Sequence, residues 1–194
     1  SNNTVRKVHY TEYFYDMVTS VKGSIYKKDK LIELGGFSSQ GDGIGLDDYP
    51  LMLRFAYYYN TYLLEEVLYL DSWGYNDSLN LRHWYPELVE NYYMWLFFAK
   101  KETGWIRKLY LNRAKYLLGY RAAQYNAGTS WVGVPVPIDF NQLAIDCQLN
   151  NVNVNVVRKK INGICIKIVQ MIKKRGMVKY TVSITTFKEK HKLK

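Results

Sequence analysis

Between residues 85 and 125 apolar side chains return every three or four positions. Leu88, Tyr92, Trp95, Leu96 and Ala99 form one series; Ile106, Leu109, Tyr110, Ala114, Leu117 and Leu118 form another. That period predicts two helices, the first opened by Pro86 and the two separated by Gly104. The arginines and lysines of the second fall mostly between its apolar positions, so the pair reads as a packing or homodimer surface. Residues 1–80 have a different rhythm, short apolar runs broken by glycine-rich turns, which suits an α/β piece. A strand is expected near 23–26 and a short helix from about Lys28 to Leu34, stopped by Gly35 and Gly36, because glycine tolerates the left-handed C-terminal position. A second helix is expected to start near Asp47, with Asp47, Asp48 and Pro50 in its first turn. "EEVLYLD" reads as a strand after it.

Beyond residue 125 the pattern weakens. Residues 126–150, with Pro135 and Pro137, read as loop. "NVNVNV" alternates like a strand, after which Val157, Ile161, Ile164, Cys165, Ile168 and Ile172 make a helical stripe with lysines on the opposite face. Gly163 lowers the helical propensity of that stretch. The chain is therefore expected to divide at about 1–80, 81–125 and 126–194, the last a loop plus a basic extension.

Composition sharpens two points. At 194 residues, 48% apolar and 16% aromatic, the chain has enough apolar material for a real core. Its charge of +10 is unevenly spread: residues 158–194 hold 12 of the 27 Lys and Arg and one of the 17 acids, leaving 15 cations against 16 acids over 1–157. Such a basic tail suits an anionic membrane surface. No nucleic-acid recognition motif accompanies it, so no nucleic-acid partner is expected. Cys147 and Cys165 sit in no CxxC pair and read as reduced thiols. No run of 18 apolar residues and no signal-like start are present, so the expected location is cytoplasmic, peripheral at the inner membrane face.

The segment richest in chemistry is "GSIYKKDKLIELGGFSSQGDGIGLDDYPLMLRFAYYY", followed by "LLEEVLYLDSWGYNDSLN". Paired carboxylates in a helix's first turn can serve as a capping device or as a proton acceptor. Asp42 lies between glycines in a loop without the ligand spacing of a calcium site. Arg54, six residues after Asp48, either braces the acids or faces solvent. Trp73, Tyr75 and Trp84 offer flat faces for a sugar ring or for packing.

In order and spacing, Gly23, Gly35, Gly36, Phe37, Asp47, Asp48, Tyr49, Arg54, Val67, Leu68, Ser78 and Leu79 resemble the second half of the family 2 glycosyltransferase domain. The match covers about 60 residues. The resemblance implies a partial GT-A (Rossmann-like) half followed by a helical C-terminal extension. It also implies inverting transfer from a nucleotide-sugar to a surface-glycan or lipid-linked acceptor. Asp48 takes the position of the family's catalytic base, and Asp47 replaces its usual Glu. Asp42, Tyr49, Arg54 and Trp73 would then lie on the acceptor side.

The family's donor half, with the Asp-x-Asp that holds a divalent cation (Mg or Mn) on the diphosphate, has no counterpart here. Asp71 and Asp77 have the wrong spacing, and His83 is displaced from the position some relatives use. The chain is therefore expected to be a portion of the complete enzyme, inactive alone, or else a non-catalytic binding or assembly module.

Overall fold

The computed structural model describes residues 4–14, 24–36, 48–65, 84–130, 133–175 and 180–192. Among them the protein is mixed helix and sheet, and mostly helical. It forms two compact units. The first gathers residues 1–38, 47–73 and 174–194; the second holds 39–46 and 74–173.

The first unit is built on a three-stranded antiparallel sheet. Strand β1 (Thr4–Val8) lies between β2 (Thr61–Leu64) and β3 (Thr181–Ser183), with Val5 opposite both Leu64 and Val182. Val5 and Val8, on opposite faces of β1, are both buried, as is Tyr13 of the following 3-10 turn (Tyr10–Phe14). Helix α1 (Lys28–Glu33) and helix α2 (Asp48–Tyr58) follow. Helix α2 packs on the 3-10 turn and buries Leu51, Met52, Leu53 and Ala56. Helix α7 (Ile184–His191) is N-capped by Ser183, whose Oγ accepts from the Thr186 amide at 3.2 Å. Its Phe187 and His191 rings meet Tyr62 of β2 at centroid distances of 4.9 and 5.6 Å.

The second unit is helical. Helix α3 (Trp84–Lys100) and helix α4 (Gly104–Asn126) form an antiparallel hairpin, with Trp84 against Tyr125 and Trp95 against Tyr110 at 5.4 and 5.7 Å. Leu88, Tyr92, Trp95, Phe98, Tyr110, Ala114 and Leu118 are buried in it. Helix α5 (Phe140–Asp146) follows, N-capped by Asp139, and Asp146 accepts hydrogen bonds from Tyr85 and Tyr93 of α3. Helix α6 (Val156–Lys174) runs antiparallel to α4: Arg158 meets Tyr116, Asn162 donates to the Leu109 carbonyl, and Lys173 pairs with Glu102.

Several expectations change. Residues 24–27 are not strand, and the strand after α2 is Thr61–Leu64; "EEVLYLD" lies outside the described residues apart from Glu65. The expected loop at 126–150 contains α5, because Asp139 supplies a cap that holds seven residues as helix. "NVNVNV" forms no strand among its described residues. Asn155 is spent instead on α6, its Oδ1 accepting from the Arg158 amide at 2.8 Å. The basic extension is not one piece: α6 packs on α4, whereas β3 and α7 complete the sheet of the first unit.

Candidate functional site

The candidate site begins at the end of α1. Leu34 closes the helix, and Gly35 (φ 81°) and Gly36 (φ 69°) follow in the left-handed region. The Gly36 amide donates to the Leu31 carbonyl and the Gly35 amide to the Ile32 carbonyl, both at 2.9 Å. That double return of amides is a Schellman closure, and it requires residues without a Cβ penalty. It leaves outward-facing carbonyls at a helix C-terminus, where a cation is favoured. Arg54 of α2 supplies one. Its Nη1 donates to the Leu34 carbonyl and its Nη2 to the Gly36 carbonyl, each at 3.2 Å.

Arg54 therefore ties α2 to the Gly-Gly turn. Asp48 is the first residue of α2 and Tyr49 the second. Six residues of helix place Arg54 roughly 9 Å along the axis from Asp48 and on another face. Asp42, Asp47 and Trp73 lie outside the described residues. Aromatic rings surround the same corner. Tyr26 and Tyr59 flank Phe55 at 5.0 and 5.1 Å, and Lys30 of α1 lies 5.3 Å from the Tyr59 ring while pairing with Glu33. Lys30 first, and then the Tyr59 hydroxyl, hold the Glu33 carboxyl below its ordinary range.

On the sheet side, Glu12 is a hub. It accepts from the His9 amide at 2.9 Å, from Arg6 Nη1 at 2.8 Å, and faces Lys174 at 3.4 Å. Arg6 also reaches Glu65 at 3.0 Å. Burial pushes the Glu12 carboxyl up, but the His9 amide, Arg6 and Lys174 outweigh it and leave it below its usual value.

The second unit holds two further polar features. Glu87 is buried in the hairpin, accepting from Tyr125 Oη at 2.7 Å and Arg121 Nη1 at 3.1 Å. Burial raises its pKa, against the opposing pull of Arg121 and Tyr125. A cleft of about 350 Å³ lies between α4 and the chain leading into α6, lined by Asn112, Lys115, Tyr116, Asn150, Asn151 and Arg158 among others. Two cations and several amides there can hydrogen-bond an anionic or polyhydroxyl group. The sequence reading missed this cleft, although the asparagine density of "LNNVNVNVV" was its one visible signal.

The comparisons with known proteins add nothing to this geometry: no family model, no curated protein and no solved structure matches the chain. Among the described residues no group of three or more His, Cys, Asp or Glu is placed to hold a metal ion, and no helix is long and apolar enough to cross a membrane.

Proposed function

We propose that residues 20–80 form the acceptor side of an inverting family 2 glycosyltransferase of GT-A type, acting on a surface-glycan or lipid-linked acceptor. The observation that carries this reading is the ordered motif together with its closure. The Gly35-Gly36 turn that ends the basic helix is bound by Arg54, a residue of the helix that Asp48 opens. A helix N-terminus favours a carboxylate, and a positioned carboxylate can remove the proton of a sugar hydroxyl.

In the proposed reaction the acceptor oxygen attacks the anomeric carbon of a UDP-, GDP- or dTDP-sugar. The acceptor proton passes to the Asp48 carboxylate as the bond to the diphosphate breaks, so a single displacement inverts the anomeric centre. Asp47 supports the base, while Asp42, Tyr49, Arg54 and Trp73 belong to the acceptor side, Arg54 through its hold on α1. For the divalent cation that the resemblance implies, the sequence has no Asp-x-Asp, and the described residues offer no cluster in its place. No step is therefore assigned to it.

The test has two stages. The chain, and the same chain extended upstream in its natural reading frame, are titrated calorimetrically with the three nucleotide-sugar classes and Mn²⁺. The form that binds is then assayed for transfer, with and without Asp48→Asn. Loss of a general base should lower kcat by about 10²- to 10⁴-fold. An Asp48→Asn enzyme with the wild-type rate would end the catalytic reading. The absent Asp-x-Asp favours a second reading, a glycan-binding or assembly module; acceptor binding without transfer in either form would select it.

A further inference from the structure

Helix α6 shows more apolar surface than it buries. Its inward side offers Ile166 and Val169, both essentially inaccessible, and Asn162, which spends its amide on α4. Its outward side presents Val157 (68% exposed), Ile161 (57%), Ile164 (61%), Ile168 (43%), Met171 (63%) and Ile172 (52%). Those positions fall on one helical stripe, roughly 22 Å long at 1.5 Å per residue. Lys160 and Lys167, seven residues apart, run along one edge of it; Lys174, next in that spacing, is paired with Glu12. Arg158 stands near the other edge. From Val156 to Lys174 there are six Lys or Arg and no Asp or Glu.

A continuous exposed apolar stripe calls for an occupant, and the charge selects among them. A second copy of the helix would set cation row near cation row, and the helix itself carries no acid to offset them. A nucleic acid would use the cations but leave six large apolar side chains wet. A membrane surface containing anionic lipid takes both: the isoleucines enter the acyl boundary and the lysines stay at the headgroups. We propose that the outer face of α6 docks on an anionic membrane surface, lying in its plane, with Val157, Ile161, Ile164, Ile168, Met171 and Ile172 inserted. The inference concerns α6 alone and does not depend on Asp48.

The test is co-sedimentation of the chain with phosphatidylcholine vesicles, alone or mixed with phosphatidylglycerol. The wild-type chain is expected to bind the mixed vesicles, more weakly as salt is raised, and the neutral ones far less. Ile164→Asp/Ile168→Asp should weaken binding at least about tenfold, since two apolar side chains leave the acyl boundary. Lys160→Glu/Lys167→Glu removes the electrostatic part without touching the stripe and should weaken it by about fivefold per lysine. Helicity and the protection of the buried Cys147 thiol report that each variant is folded. Equal binding to both vesicle types, no binding to either, or wild-type binding by both folded variants overturns the proposal. So does equilibrium sedimentation showing a dimer that Ile164→Asp/Ile168→Asp dissociates while vesicles remain unbound.

Discussion

The two units differ in how far apart in sequence their parts lie. The helical unit is assembled from neighbours: α3 and α4 are joined by three residues, and the two ring pairs of the hairpin span 15 and 41 residues. The sheet unit is assembled from both ends of the chain, since β1 and β3 pair across more than 170 residues. The first arrangement rests on a dense aromatic core. The second has a smaller core among its described residues and is stitched by polar contacts, with Arg6 of β1, Glu12 of the 3-10 turn, Glu65 just after β2 and Lys174 linked to one another. Non-local pairing pays its loop entropy before it gains contacts. A cavity should therefore harm the helical unit most, whereas acid and salt should act on the sheet unit.

The largest effect is expected from Trp95→Ala. Trp95 is almost fully buried, packs edge-on to Tyr110 and lies under the Arg113 guanidinium, 5.8 Å away. Removing it should cost about 3–5 kcal/mol. Cys147 provides the reporter: it is buried and its thiol is pushed up to about 12, by burial first and then by Asp146, so it should react with a thiol reagent only when the helical unit opens. Half-buried Cys165 gives the reference rate. Trp95→Ala should speed labelling of Cys147 far more than hydrogen exchange at the Lys7 amide, which is bonded to Tyr180 in the sheet. Equal acceleration of both would dissolve the distinction between the units.

Gly119→Ala comes next, with an unusual sign. In most helices this change stabilises, because alanine is the better helix former by about 1 kcal/mol. Here a Cβ would fall 2.2 Å from the Asn153 carbonyl oxygen, a backbone atom that cannot step aside without moving the chain that leads into α6. The expected outcome is a net loss of about 1–3 kcal/mol, typical of overpacking, together with a distorted cleft around Asn151 and Arg158. Urea midpoints of the variant and wild type decide it.

The same contrast explains what the sequence disclosed. The Leu88–Ala99 and Ile106–Leu118 periodicities placed the hairpin helices within a residue or two, because local period alone determines which face is buried. The end of α1 was legible from Gly35 and Gly36, since only glycine takes those two dihedrals without cost. The sheet was not legible. Nothing in "TVS" at 181–183 announces a partner at Thr4–Arg6, and a three-residue strand carries too little alternation to be seen. "NVNVNV" misled in the opposite direction: its alternation is strand-like, but Asn155 caps α6 and Val156 opens it. Of the candidate site, the place of Asp48 at a helix start was readable. The task of Arg54 was not, because six residues of spacing say nothing about carbonyls on another helix.

The smallest prediction separates the units by pH. Glu12 titrates below its ordinary value when folded, so its contribution is complete above the usual carboxylate range and is lost as pH falls through its folded pKa. Glu87 titrates above its ordinary value because it is buried. Charging it costs the folded state, so its contribution runs the other way and is lost as pH rises from the ordinary carboxylate range through its folded pKa. Acid should therefore loosen the sheet unit at Glu12 while relieving the helical unit at Glu87. Hydrogen exchange of β1 and of α3, followed from neutral pH into the carboxylate range, should show opposite slopes. Glu12→Gln should flatten the first slope and Glu87→Gln the second. The Glu12 effect should stay within about 0.5–1 kcal/mol, as befits a partly exposed pair, and shrink in high salt, whereas the Glu87 slope should resist salt because water does not reach that carboxylate. Parallel slopes in the two elements, unchanged by either substitution, would mean that the polar stitching at Arg6 and Glu12 contributes nothing that the aromatic core does not.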